Sequence, residues 1–181
     1  MKKNGFTLIE LMIAITIMGI LMVIAIPHFS SWILNSRIRN TAEGINAAII
    51  KSKSASIISM SNQISFTLNA DTSWLIKNEK LNVTIANKTA SESSKGVSIS
   101  IFPATSSMLT FNSYGAIVAN VDGSPSITMI DVTSINPTDG ITPLRIMIGK
   151  GGATVICSNP PIANSANPTD CSNVVLTDYG V

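Results

Sequence analysis

From Phe6 to Ile26 almost every residue is apolar, and the run is broken only by Thr7, Glu10, Thr16 and Gly19. Few folds tolerate such a stretch. A helix rises about 1.5 Å per residue, so about 20 apolar residues span the hydrocarbon core of a bilayer. Lys2 and Lys3 on the short N-terminal flank favour keeping that end in the cytoplasm. A cleaved secretory signal is the competing reading, and three features count against it. The run exceeds the roughly 7–15 residues of a signal core. No small-x-small cleavage site follows it, because Ala25-Ile26-Pro27-His28-Phe29 is a poor match. Finally, the run holds a carboxylate, Glu10. A charge in mid-bilayer costs about 2.5–3.5 kcal/mol, which makes an intramembrane acid a functional candidate by default. The residues predict a retained N-terminal membrane helix.

The stretch Gly5-Phe6-Thr7-Leu8-Ile9-Glu10-Leu11-Met12-Ile13-Ala14 resembles the type III signal of type IV pilins and type II secretion pseudopilins. The pattern is Gly, then Phe, then Glu four positions on, then the apolar run. The resemblance implies that a prepilin peptidase cuts between Gly5 and Phe6 and methylates the new amino group of Phe6. It makes residues 1–5 a leader and 6–27 a transmembrane and filament-core helix. Glu10 becomes the acidic residue used in filament assembly, and Pro27 stands where many pilins carry a helix-kinking proline. The implied location is the inner membrane, single-pass with a cytoplasmic N-terminus, and then the periplasm or the pilus filament. After cleavage a charged amine on Phe6 would lie one helical turn from Glu10, and residues at i and i+4 are neighbours on a helix. That amine can neutralise Glu10 within the chain, or Glu10 can pair with the amine of an adjoining subunit and so set its axial register.

Of 181 residues only 12% are charged, against an average near 25%. Ser, Thr and Asn make up the balance, as suits an exported, β-rich domain. The formal charge of +2 counts Lys2 and Lys3; without Met1–Gly5 there remain ten basic and ten acidic side chains. A near-neutral chain has no bulk attraction to nucleic acid or anionic lipid. Its two cysteines, Cys157 and Cys171, have thirteen residues between them. Behind a membrane-targeting N-terminus they would lie in an oxidising periplasm, where a disulfide is the natural reading. A metal site is poorly supported: there are two thiols, and the sole histidine, His28, stands beside the membrane run.

From His28 to about Asn62 the apolar residues Phe29, Trp32, Ile33, Ile38, Ala42, Ile45, Ala48, Ile49, Ala55 and Met60 recur mostly at three- and four-residue steps, which predicts an amphipathic continuation of the helix over 28–62. Trp32 is a candidate interfacial anchor. Beyond Asn62 the period becomes two, with strands expected at 63–69, 73–77, 81–85, 97–102, 108–111, 116–118, 126–132, 144–148 and 153–157. Asn87–Gly96 reads as a loop, Gly149-Lys-Gly-Gly152 as a hairpin turn, and Ser158–Ser172 as a loop stapled by the disulfide. Residues 63–181 then form a periplasmic or extracellular β-rich domain. The expected fold class is α+β: a long N-terminal helix packed on one antiparallel sheet, with the strand order left open.

The layout also resembles pilins, and the GspH/FimT/FimU group of minor pilins and pseudopilins in particular. The likeness rests on small residues at Ala47, Ala48 and Ala55, on Phe111-x-x-x-Gly115, and on the terminal strand running from Gly149 to Ile156-Cys157. It implies a structural subunit whose partners are other minor and major pilins, the prepilin peptidase, the inner-membrane assembly platform and the inner membrane. A type II secretion pseudopilin of the H type is the rival in the same class. No nucleophile–base pair or phosphate loop stands out, so no enzyme activity, cofactor or metal is expected. DNA binding is the rival from another class. FimT-like proteins implicated in DNA uptake carry Gly-Arg-x-Arg near the position of Gly149–Gly152. This chain has Lys150 alone there, and from Ile101 onward only Arg145 and Lys150 face five aspartates, a poor counterpart for phosphates.

Overall fold

The computed structural model describes residues 7–60, 63–136 and 140–158, the side chains of 23–28 excepted. Helix α1 runs unbroken from Leu8 to Ile58. The chain divides into two compact units, Met1–Ile33 and Leu34–Val181.

In the first unit the helix opens on Thr7 and stays continuous through Pro27. Its apolar side chains have no protein cover: Leu8, Leu11, Met12, Ile15, Met18 and Leu21 all lie on the surface. Among the described residues no helix is long and apolar enough to cross a membrane, and described side chains of the run stop at Met22, short of its end at Ile26. Phe29 and Trp32, one turn apart, stack with ring centroids 5.8 Å apart and both are exposed.

In the second unit the amphipathic stripe does its expected work over part of its length. Ile38, Ala42, Ile45, Ala48 and Ile49 are buried, while Met60 is 84% exposed. The helix ends at Ile58 rather than near Asn62. Ser59 and Met60 still donate N–H bonds back to Ala55 and Ile57, but Met60 has φ +48, a left-handed conformation that closes a helix. Residues 61 and 62 lie outside the described residues. Gly44 faces solvent with no atom near it, so it costs helix propensity and nothing in packing.

The strands are β1 (Ile64–Leu68), β2 (Trp74–Asn78), β3 (Val83–Lys88), β4 (Val97–Phe102), β5 (Met108–Phe111), β6 (Ile117–Val118), β7 (Met129–Ser134), β8 (Leu144–Ile148) and β9 (Thr154–Ser158). They form two antiparallel sheets instead of one. The first has the order β3-β2-β1-β5-β6, the second β4-β7-β8-β9. Register explains the core: Ile76, Phe66 and Leu109 align across the first sheet, and Ile101, Ile130, Ile146 and Ile156 align across the second. These rows share one hydrophobic cluster with the buried stripe of α1. The α+β class holds, with the helix packed on two sheets.

Alternation alone predicts a strand from Ser126, yet β7 begins at Met129. Residues 126–128 form the seam between the sheets: Ser126 makes an isolated parallel bridge to Met108, and Thr128 donates to the Phe102 carbonyl. Similarly, β3 starts at Val83 because Asn82 has φ +54 and ends the turn there. The expected loop from Asn87 contains the end of β3 and a short 3₁₀ turn, Ala90–Glu92. Asn120 ties the 120–125 loop to β5: its amide donates to the Met108 and Pro125 carbonyls and its oxygen accepts from the Thr110 hydroxyl.

Candidate functional sites at the helix start and at a glycine-lined turn

The chain folds into a helix at Leu8 because Thr7 caps it. The Thr7 hydroxyl accepts the Glu10 N–H at 3.3 Å, while one Glu10 oxygen, Oε2, accepts the Thr7 N–H at 2.9 Å and the Thr7 hydroxyl at 2.8 Å. This reciprocal pair is a capping box, and it satisfies two backbone donors that a helix start leaves open. Farther along, the Thr16 hydroxyl donates to the Met12 carbonyl at 2.7 Å. Each described polar side chain of the apolar run therefore has a partner inside its own segment, the condition hydrocarbon imposes on polar groups. Glu10 keeps a second oxygen, Oε1, which accepts no hydrogen bond among the described residues. Gly5 and Phe6, the expected processing site, lie outside the described residues.

Residues 1–26 match the family model of the prokaryotic N-terminal methylation motif. That motif supports a type IV pilin-like protein with a pilin or pseudopilin role, and it implies dealings with a prepilin peptidase and with other components of the pilus. It is consistent with anchoring at the inner membrane. The match covers the Gly5–Phe6 junction, the Thr7–Glu10 capping box and the apolar run. No solved structure matches the chain. Thr7 is the residue of this motif that the spacing argument left unused, although Thr-x-x-Glu ahead of an apolar run is itself a helix-start signature.

The other expected sites lie in the second unit. Lys150 is exposed at the tip of the β8–β9 turn. Arg145 cannot join it in holding an anion, because Asp131 of the neighbouring strand accepts from Arg145 Nε at 2.6 Å and Nη2 at 2.8 Å. The hydrogen bond to Asp131 is the main reason the Arg145 pKa is raised. What the turn does hold is Lys53 of α1, whose ammonium donates to the Gly151 carbonyl at 2.9 Å. Gly152 has φ +70, and a Cβ there would sit 2.6 Å from the Gly115 carbonyl oxygen. Gly115, with φ +75, is crowded by Ile57 and Lys53. The Phe111-x-x-x-Gly115 and Gly149–Gly152 segments, far apart in sequence, thus meet over Lys53. Nothing in the sequence announces that meeting. On the loop beside it Tyr114 is 87% exposed, held in an Asx turn in which Asn112 accepts the N–H groups of Tyr114 and Ala116.

Cys157 is buried on β9, in register with Arg145, while Cys171 lies outside the described residues. Pro27 removes one N–H from the helix ladder, and its own side chain, like that of His28, is outside the described set. Among the described residues no group of three or more His, Cys, Asp and Glu stands together as a metal site would require.

Proposed function

We propose that this chain is a structural minor pilin of the GspH/FimT/FimU type that helps to initiate or cap a type IV pilus. The observation that carries the reading is the Thr7–Glu10 box within the methylation motif. One carboxylate oxygen is engaged and the other accepts no hydrogen bond among the described residues, at the start of an exposed apolar helix. In this reading the peptidase cuts at Gly5–Phe6, Phe6 is methylated, and Glu10 Oε1 receives the Phe6 amine of a neighbouring subunit in a low-dielectric filament core. There an unpaired carboxylate is costly, so the pair sets the register. Residues 6–27 act as membrane anchor and then as filament core, with Pro27 bending the helix as it leaves the bilayer. The partners are other minor and major pilins and the inner-membrane assembly platform. Cys157 and Cys171 form a disulfide that staples the C-terminal loop.

The test is a count of sheared surface pili in a deletion strain, beside its secreted-protein profile, with complementation by the wild type and by Glu10→Ala. Loss of pili with normal secretion, rescued by wild type but not by Glu10→Ala, supports the proposal. Intact pili with failed secretion move the chain to the H-type pseudopilins. DNA capture remains a second reading because Lys150 and Tyr114 are exposed on adjacent turns. For it to hold, Lys150→Ala must lower DNA affinity and uptake while pili stay intact. Arg145 is paired with Asp131 and the Lys53 ammonium is engaged by the Gly151 carbonyl, so Lys150 is the exposed cation of that turn, and phosphate affinity grows with the number of cations supplied.

A further inference from the structure

Strand β3 is an edge of the first sheet, with β2 on one side and no strand on the other among the described residues. It also exposes two apolar side chains: Val83 is 53% exposed and Ile85 37%, with Leu81 of the preceding turn at 68%. Ile85 is the extra residue of a bulge, opposite the step from Ile76 to Lys77. Together with Ala55 and Ile58 of the last turns of α1, these residues line an open groove of about 420 Å³ that is almost wholly apolar. A contiguous exposed apolar surface marks an interaction site, and a strand edge unpaired among the described residues offers beside it a row of backbone donors and acceptors. Lipid and nucleic acid carry no backbone that pairs with such a row; an extended peptide does.

The charges choose among peptides. Lys80 stands exposed at the entrance of β3 and makes no ion pair among the described residues, since the neighbouring Glu79 is taken up by Lys77 at 3.0 Å and by Ser65. Lys88, half-buried at the far end, lies close enough to Glu92 to be felt by it. In an antiparallel edge-to-edge pairing of two copies centred on Thr84, Lys80 of one would face Lys88 of the other, and facing like charges destabilise a strand pair. We infer that β3 and the end of α1 form a docking site for an extended segment of a different protein. That segment is apolar at alternate residues, pairs with the β3 backbone, packs its side chains on Ile58, Val83 and Ile85, and sets a carboxylate against Lys80. The inference does not depend on which machine uses the subunit.

The experiment uses the full chain in detergent micelles and three synthetic peptides. The first is Asp-Val-Thr-Val-Thr-Val-Asp, the second has Lys in place of both Asp, and the third is the first N-methylated at alternate backbone nitrogens. Binding is followed by backbone amide shifts and by amide exchange. The expected result is slowed exchange confined to residues 83–87 with the first peptide, and affinity lower by about tenfold or more for the other two. Lys80→Glu should reverse the preference toward the lysine peptide, and Ile85→Asp should abolish binding, with thermal unfolding of both variants near that of the parent. Equal binding of the charged pair, equal binding of the N-methylated peptide, protection elsewhere or no binding at all would each overturn the inference.

Discussion

Gly152 shows how much of this protein hangs on single backbone positions. Its left-handed φ and the 2.6 Å approach to the Gly115 carbonyl leave no place for a side chain. Gly152→Ala should lower stability by roughly 2–3 kcal/mol, seen as a fall in urea midpoint with the slope unchanged. At Asp131 and Arg145 the two-pronged contact is three-quarters or more removed from solvent. Arg145→Ala leaves a shielded carboxylate without its cation and should cost roughly 2 kcal/mol, whereas the double replacement with Val should recover most of the loss. The same urea series measures both. Neither position was evident from the residues alone: Gly152 reads as an ordinary hairpin glycine, and nothing in the spacing assigns Arg145 to Asp131 among the five aspartates beyond Ile101. The first needed the position of Gly115, the second the β7–β8 register, and sequence spacing supplies neither.

Among the elements, the two parts of α1 differ in how readily their role can be read. The apolar run and Thr-x-x-Glu of the first part are local, so both helix start and cap are visible in the residues. Thr7→Val removes the hydroxyl that receives the Glu10 N–H and donates to Glu10 Oε2. It should lower helix content of a peptide spanning residues 6–26 in micelles, by about 1 kcal/mol of capping energy, measured by circular dichroism. In the second part, Ile45 and Ile49 lie at or near zero exposure in the cluster that also holds residues of both sheets. Either residue changed to Ala should cost about 2–5 kcal/mol in thermal or urea unfolding. The strands were legible as strands because they alternate. Their division into two sheets was not, since it turns on residues 126–128 leaving the ladder to bridge to Met108, a contact between segments whose separation alternation does not encode.

For the molecule as a whole, the carboxylates set the response to acid. Asp71 and Asp122 are held below the usual carboxylate range by hydrogen bonds from Ser73 and Ser124, and Glu92 by those from Thr89. For Glu79, burial opposes the charge, but bonds from Ser65 and Lys77 outweigh it and the pKa is lowered. Groups lowered on folding contribute fully above their unfolded values, around 4, and lose that contribution as pH falls through the folded ones. The melting temperature should therefore be flat from pH 7 to about 5 and fall as the pH drops below about 4. A scan by calorimetry checks this, and Glu79→Gln should make the fall shallower.

The core that joins α1 to both sheets also imposes a schedule. Synthesis delivers the stripe Ile38, Ala42, Ile45 and Ile49 first, but Ile146 and Ile148, which help to cover it, come about a hundred residues later. Across that interval a nascent chain carries a finished helix face with no lid. Contacts so distant along the chain form slowly and leave apolar surface open to misassociation. The helix face is thus most open to wrong contacts until β8 has been made.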